Sequence, residues 1–427
     1  MSSASSTTLF PVDQHRLTRQ PSDLVGHLES HGPLPVPHSV SPQWQRDFAE
    51  NIAASGLAGR GGAAFPTAVK LAGNRAAHGM GIVVVNGMEG EPASDKDKEL
   101  LTRAPHLVLD GAQLMAAACD AQSVVVCVPE GRDSVADAVS YAIKDRKKHG
   151  YARLSESLVR PPNRFVAGEE SALVQWIDSR RSLPMFRTDK SIPLRIGKQP
   201  VLVHNTETLA HAALIARYGH EAFLTRGLRE EPGMTLITVT GAVNHPGVIE
   251  VDRGTPLSEI VAAAGPEESV RAMLVGGYGG AWVGPEHFAT PYASIALRSI
   301  GASAGVGVIV VLRTRACGVT ETARVARYMA QQTSGQCGPC VFGLPAVADD
   351  LSKLARAHTD PELMVRLLRR LDEVQGRGAC RHPDGVVGLV RSALTVFADD
   401  VAAHERGMPC SHHGRPTQLR FPHPIEL

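Results

Sequence analysis

Short β-branched apolar runs alternating with helical stretches are the feature that most limits what this chain can become. Ile82-Val-Val-Val85 and Ser123-Val-Val-Val-Cys127 are too short for buried helices and carry the residues of buried strands. A helical pattern from Asp133 to Lys148 follows the second run. Arg164-Phe-Val-Ala167, read as a strand, leads into a helix-like stretch from Glu169 to Asp178, and Glu207 to Tyr218 repeats the rhythm. This order predicts α/β units around a largely parallel sheet. Upstream, a short helix is expected from Phe48 to Ala54, whereas residues 1–45 hold Pro11, Pro21, Pro33, Pro35, Pro37 and Pro42 without periodicity and read as an extended lead-in.

The texture changes near Gly233. Met234 to Gly241 alternates with period two, Pro246 to Val251 resembles its neighbour, and Thr255 is placed to cap a helix from Leu257 to Ala264, so a small β-grasp-like module is expected over about 233–312. Beyond Arg313 the pattern is helical, at Glu321–Gln331, Ala346–Ala357, Pro361–Val374 and Val386–His404, which predicts a C-terminal bundle.

Charge and composition remove several function classes. With 44 basic against 43 acidic side chains, no overall field draws the chain to nucleic acid, and 4% aromatic residues make a poor base-stacking platform. The first residues lack a basic and apolar leader, and no apolar run approaches the ~20 residues that span a bilayer. A soluble cytoplasmic protein is expected, peripheral to a membrane only through a partner. Seven unevenly spaced cysteines in 427 residues point to a reduced, intracellular chain rather than a disulfide scaffold.

Four segments carry chemistry. In Gly56 to Thr67, Gly59, Gly61 and Gly62 permit a backbone whose N–H groups face a phosphate, with Arg60 and Lys70 supplying positive charge. Asn86-Gly-Met-Glu89-Gly-Glu91-Pro92 follows a strand, where open α/β sheets bind ligands, and its amide and carboxylates suit a flavin edge or a ribose. Gly168-Glu169-Glu170-Ser171 and His204-Asn205-Thr206-Glu207-Thr208 open helices, where they serve either ligands or the helix termini themselves. Last, Cys337 and Cys340, with Cys380 in Gly378-Ala-Cys380-Arg-His382, suit an iron–sulfur cluster, a zinc site completed by His382, or a dithiol beside an unrelated cysteine. Cys119, Cys127 and Cys317 read as core residues, and Cys410, near His412 and His413, as a further metal candidate.

In this order the segments resemble the flavin-binding, NADH-oxidising subunit of respiratory complex I, a family shared with NAD-linked hydrogenases and formate dehydrogenases. The likeness spans about residues 25–408: Gly59–Ala68 match GRGGAGFPTG, Asn86–Pro92 with Lys96 and Asp97 match NADEGEP and KDR, and Pro105-His106-Leu107 follow. Gly168–Ser171 match GEET, His204–Leu209 match NNVETL, and the thiols match CGxCxPC plus one distant cysteine. The resemblance implies a flavin-binding α/β domain over 46–230, an SLBB-like β-grasp domain over 231–312, a helical iron–sulfur domain over 313–408 and a tail over 409–427. It further implies FMN between the glycine loop and the Asn86 strand end, NADH stacked on it, and a [4Fe–4S] cluster in the bundle. Glu89 and Glu91 would act at the flavin or nucleotide, Phe65 would stack on the nucleotide, and Arg187 would stand for a nucleotide-binding lysine. Lys70, Asn86, Glu169, Glu170, Asn205 and Thr208 would complete the cofactor site. The acceptor would be a separate protein, a ferredoxin or a thioredoxin-like [2Fe–2S] subunit. Related alternatives are a ferredoxin-linked relative of the Rnf-complex C subunit and a non-redox member with structural zinc.

The chain also departs from that family. Ser334 stands where the first cluster cysteine is expected, which leaves a [4Fe–4S] cluster with a serine or external ligand, a three-iron cluster, or none. Met88 replaces an aspartate, Asp95 a phenylalanine, and Ala64 and Ala68 replace glycines where positive φ or close approach is expected.

Overall fold

The computed structural model describes residues 16–77, 80–412, 419–425 and 427. Pro11 and His413 lie outside them. The first sheet comprises β1 (Gly81–Asn86), β2 (Ala121–Cys127), β3 (Ser155–Val159), β4 (Leu194–Ile196) and β5 (Gln199–Asn205), in the order β3-β2-β1-β5-β4. All pairings are parallel except β4 on β5. Helices cover both faces of the central strands, which is why β1 is an unbroken run of buried valines rather than an alternating pattern. The chain leaves β1 for β2 on one side and returns as β5 on the other, so a crevice opens at the carboxyl ends of β1 and β5. Asn86 and Asn205 are register partners at that opening.

Helix Pro105–Ala118 and helix Thr206–Leu224 cross in close contact beneath the sheet. A Cβ at Gly111 would fall 1.9 Å from the Leu209 carbonyl oxygen, so only glycine allows the crossing. Asp110 on the first of these helices is fully buried and is held by Arg146 at 2.7 Å, by the His27 ring at 2.9 Å and by Arg217. That pairing corrects the extended reading of the lead-in. Leu24–His31 is a helix, capped by the Asp23 carboxylate on Gly26 N–H at 2.9 Å and anchored by His27, and the next helix starts at Pro42 rather than Phe48.

The second sheet comprises β6 (Met234–Gly241), β7 (Gly247–Asp252), β8 (Val270–Val275), β9 (Ala281–Val283) and β10 (Val308–Arg313), in the order β7-β6-β10-β8-β9. β10 runs parallel to β6 and antiparallel to β8, while helix Leu257–Ala263 packs on the sheet, a β-grasp arrangement. Thr255 does not cap that helix; its hydroxyl binds the Asp252 carbonyl and Pro256 holds the cap position. Helices Gly318–Gln331, Leu344–Ala355, Leu363–Val374, His382–Val396 and Ala398–Glu405 then share one apolar core. The single helix expected over Val386–His404 is two; the backbone breaks at Phe397 (φ −111°, ψ 34°), whose ring packs on Trp282 of β9.

Candidate functional site

The glycine loop closes on itself: Gly59 N–H donates to the Phe65 carbonyl at 2.9 Å, and Arg60 N–H donates to Thr208 Oγ1 at 2.9 Å. Between these ties Gly61, Gly62, Ala63 and Ala64 are exposed, and Gly62 (φ 99°) and Ala64 (φ 49°) adopt left-handed backbone. An L-residue in that region carries strain of roughly 1–2 kcal/mol, so Ala64 occupies a conformation that suits glycine. The Arg60 side chain turns inward, where it donates to the Met234 carbonyl at 3.2 Å and lies 3.9 Å from Glu207. Burial lowers its pKa to about 10. Its charge therefore supports the loop from behind.

Lys70 follows the loop and reaches the β5 end, donating to the Val203 carbonyl and pairing with Glu170, each at 2.9 Å. Arg187 approaches the same Glu170 at 3.9 Å. Two cations thus flank one carboxylate near the crevice. Asn86 donates to the Gly168 carbonyl at 2.9 Å, while Asn205 caps helix Thr206–Leu224 and binds Asp97 at 2.7 Å. His204, one residue before Asn205, is buried, and its Nε2 has no protein partner. Burial, with Lys70 nearby, keeps that ring well below its ordinary pKa and neutral.

Glu89 and Glu91 are less free than the sequence suggests. Glu89 accepts from Asp97 N–H at 3.0 Å, Lys98 N–H at 3.1 Å and the Ser94 hydroxyl at 2.6 Å, so it caps helix Lys96–Arg103. Glu91 accepts from Ala93 N–H at 3.2 Å and from Tyr278 N–H at 2.8 Å, across to the second sheet. Burial raises both carboxyls to about 7, with Asp97 adding to the shift of Glu89. Both are therefore poised to carry a proton near neutral pH. Met88, standing where the family has an aspartate, packs in an apolar cluster with Ile82, Val84, Cys127 and Leu173. Asp95 meets Arg420 at 3.2 Å.

In place of the strand expected at 164–167 the chain forms a 3-10 turn, Phe165–Gly168, followed by a helix whose N-cap is Glu169. The reason is local: Glu169 accepts from Ser171 and Ala172 N–H at 2.9 and 3.0 Å, so its carboxylate completes the helix start. This turn also touches the cysteine region. Phe165 N–H donates to the Gln332 side chain at 3.3 Å, and its ring meets that of His382 at 5.4 Å.

Cys337, Cys340 and Cys380 converge. Ala379 N–H points at the Cys337 sulfur at 3.4 Å, and Cys340 lies in a π-turn, Pro339–Gly343. Burial, then the other two sulfurs, pushes the Cys340 thiol up to about 12, and burial with Glu169 and Cys337 raises Cys380. Thiolates so disfavoured need a bound cation such as iron to exist. Ser334 is part-buried in the loop before Cys337. The zinc alternative does not fit: Cys337, Cys340, Cys380 and His382 do not gather their ligand atoms within the spacing of a single ion. Among the described residues the group gathered within single-ion spacing is a different one, Cys317, His404 and Cys410. Cys317 is thus more than the core residue expected.

These features suit the cofactors expected from the sequence. The exposed left-handed loop leaves backbone room for a phosphate, and a lone buried ring nitrogen and amide side chains stand at the strand ends. The thiols suit iron. The sequence places His204 in a chemistry-bearing segment without giving it a role of its own, and the Gly276–Gly280 turn, where a Cβ on Gly277 would fall 2.6 Å from the Glu91 carboxylate, is missed. The signal for the turn is its repeated glycines.

Comparison with known proteins accords with this layout. Residues 52–213 match the Nuo51 FMN-binding domain, 236–266 the SLBB domain, and 320–404 the NADH-ubiquinone oxidoreductase-F iron-sulfur binding region. The F subunit of NADH-quinone oxidoreductase in Mycobacterium tuberculosis is 28% identical over 393 residues, covering 87% of this chain and 88% of the relative. The F 2 subunit of the same enzyme in Rhizobium meliloti is 26% identical, covering 86% and 90%. Among solved structures, the NAD+-reducing [NiFe]-hydrogenase in its H2-reduced state superposes with a TM-score of 0.81 at 26% identity, covering 92% of this chain. The chain spans 66% of that hydrogenase chain.

Proposed function

We propose that the chain is a divergent member of the family of the NADH-quinone oxidoreductase F subunit, to which it is similar over most of its length, and that the glycine loop, the strand ends and the cysteine triad work as one electron-input unit. The enzyme is an oxidoreductase of NADH dehydrogenase type that uses FMN, NAD(H) and a [4Fe–4S]-type cluster. Bound here, FMN supplies a two-electron acceptor for the hydride of NADH, and the cluster supplies one-electron steps onward.

The chain's own residues divide the work. Gly59, Gly61 and Gly62 present the loop backbone to phosphate with Lys70 alongside, and Arg60 steadies the loop from within. Asn86 and Asn205 pair at the strand ends with Thr208 beside them, and Phe65, Glu170 and Arg187 would meet the nucleotide. Glu89 and Glu91 hold protons beside the reacting face. Cys337, Cys340 and Cys380 would hold three irons of the cluster, and Ser334 Oγ would take the fourth. One observation carries the proposal: the turn Phe165–Gly168 touches both halves, bonded to Asn86 through the Gly168 carbonyl on one side and, through Phe165, meeting Gln332 and His382 of the cysteine region on the other.

We take 46–230, 231–312 and 313–408 as the flavin, β-grasp and cluster domains, with 409–427 as a tail. Val341 and Phe342, 41% and 76% exposed beside Cys340, form the docking point for the acceptor, a ferredoxin or a thioredoxin-like [2Fe–2S] protein. Among the described residues no helix is long and apolar enough to cross a membrane; we place the protein in the cytoplasm, attached to membrane only through partners.

The test is flavin, iron and acid-labile sulfide analysis of protein purified without oxygen, followed by addition of NADH. Flavin and iron that both bleach support the proposal. Absence of flavin and iron refutes it, and flavin that NADH leaves oxidised removes NADH as donor.

A further inference from the structure

A second sulfur group lies at the opposite end of helix Gly318–Gln331 from the cysteine triad, and the proposed redox chemistry does not use it. Ligand atoms of Cys317, His404 and Cys410 all lie within 4.8 Å of one another. Cys317 and His404 are buried and Cys410 is half-buried. Cys317 is the N-cap of the helix and receives Thr320 N–H at 3.4 Å, an environment that favours a thiolate. His404, in the last turn of helix Ala398–Glu405, brings Nε2 to 3.8 Å from the Cys317 sulfur.

The far side of the ring settles the tautomer. His404 Nδ1 lies 2.9 Å from the Leu354 carbonyl oxygen, which can only accept, so Nδ1 carries a proton and Nε2, facing the sulfurs, is the ring nitrogen that a metal would take in place of a proton. Histidine ligands of metals are held in this way by a carbonyl behind the ring.

We propose that Cys317, His404 and Cys410 bind one zinc ion, with two thiolates and the neutral His404 Nε2 as ligands. Sulfur and imidazole donors at single-ion spacing select zinc over the hard cations magnesium and calcium. Two thiolates balance Zn²⁺, so the ion is buried without net charge and leaves the adjoining Arg271–Asp400 pair, at 2.9 Å, undisturbed. Asp400 also accepts from Gly318 N–H at 3.2 Å, and with that carboxylate engaged the fourth position goes to water. Binding releases the two thiol protons to solvent.

The ion's role is to fasten chain that is distant in sequence. Cys317 and His404 stand 87 positions apart, and Cys410 follows the last helix. Beyond it, Phe421 packs on Tyr278 and Tyr328, the Tyr278 hydroxyl donates to the Arg420 carbonyl, and Arg420 reaches Asp95. Zinc at Cys410 clips the start of that return path to the helix bundle.

The test is metal analysis of the full chain purified without oxygen from zinc-supplemented cells. About one zinc per chain is expected, retained in Cys340→Ser and lost in Cys410→Ser and His404→Gln, with iron content unchanged in the last two. Cobalt exchanged into the wild type should give a thiolate-to-cobalt charge-transfer band that Cys410→Ser lacks; this readout is spectroscopic and needs neither NADH nor flavin. Because Cys410 lies outside the helices, its serine variant keeps the fold, and unchanged circular dichroism checks this. The proposal is overturned if the wild type holds no zinc, if Cys410→Ser retains it, or if mass analysis finds a Cys317–Cys410 disulfide.

Discussion

Helix Gly318–Gln331 carries a sulfur group at each end, and the two are built in opposite ways. Fourteen residues separate them by roughly 20 Å of helix. At its C-terminal end Cys337, Cys340 and Cys380 surround a loop with exposed Gly335, Gln336 and Gly338, and Phe342 projects into solvent. At its N-terminal end Cys317 and Cys410 close on one buried imidazole. Spacing distinguishes the uses: thiols spread wider than one ion can span suit a multi-iron cluster, whereas thiols within 4.8 Å of a ring nitrogen suit a single ion. Cysteine content alone therefore says little about function, and local crowding says much.

The sharpest way to break this contrast is Cys340→Ser. Iron and reduction of the protein acceptor should be lost, while NADH still bleaches the flavin; loss of flavin reduction as well would show that the triad is not simply downstream. Ser334→Cys should act next most strongly, raising iron and sulfide towards full occupancy, and an unaltered iron content would remove Ser334 from the ligand set. Phe342→Asp should raise the acceptor KM by about tenfold, an interface anchor's usual 1–2 kcal/mol, with turnover of a small-molecule acceptor unchanged; equal loss on both acceptors would deny that this end is the docking face. Glu91→Gln probes neither end. The folded Glu91 carboxyl titrates near 7 against 4.5 in the unfolded chain, so the native state binds the extra proton and wild-type stability falls as pH rises through 7. Urea unfolding at pH 6.5 and 8 should show a shallower fall in the variant, with Glu89 supplying the remaining slope. Smallest is Ala64→Gly, expected to stabilise by about 1 kcal/mol through relief of left-handed strain; a midpoint that drops would mean the methyl group makes contacts that outweigh the strain.

The parallel sheet is legible in the sequence because burial on both faces writes itself as consecutive valines at 83–85 and 124–126. The triad is legible for a similar reason, since two of its members are close in sequence. What stays hidden depends on distant partners. Helix Leu24–His31 needs Asp110 to receive His27, and nothing near residue 27 announces that. Phe165-Val-Ala167 carries strand-like residues, yet the Glu169 cap and the Gln332 side chain hold it as a turn. Cys317 has no histidine or second cysteine near it in sequence, and only the folded chain brings His404 to it.

The Gly276–Gly277 turn bears on how the two sheets keep step. A Cβ on Gly277 would meet the Glu91 carboxylate at 2.6 Å, so at this turn the seam between flavin and β-grasp regions is backbone against carboxylate. Such a joint is stiff. Glu91, bonded to Tyr278 N–H at 2.8 Å, is thus tied directly to the backbone of the β-grasp sheet.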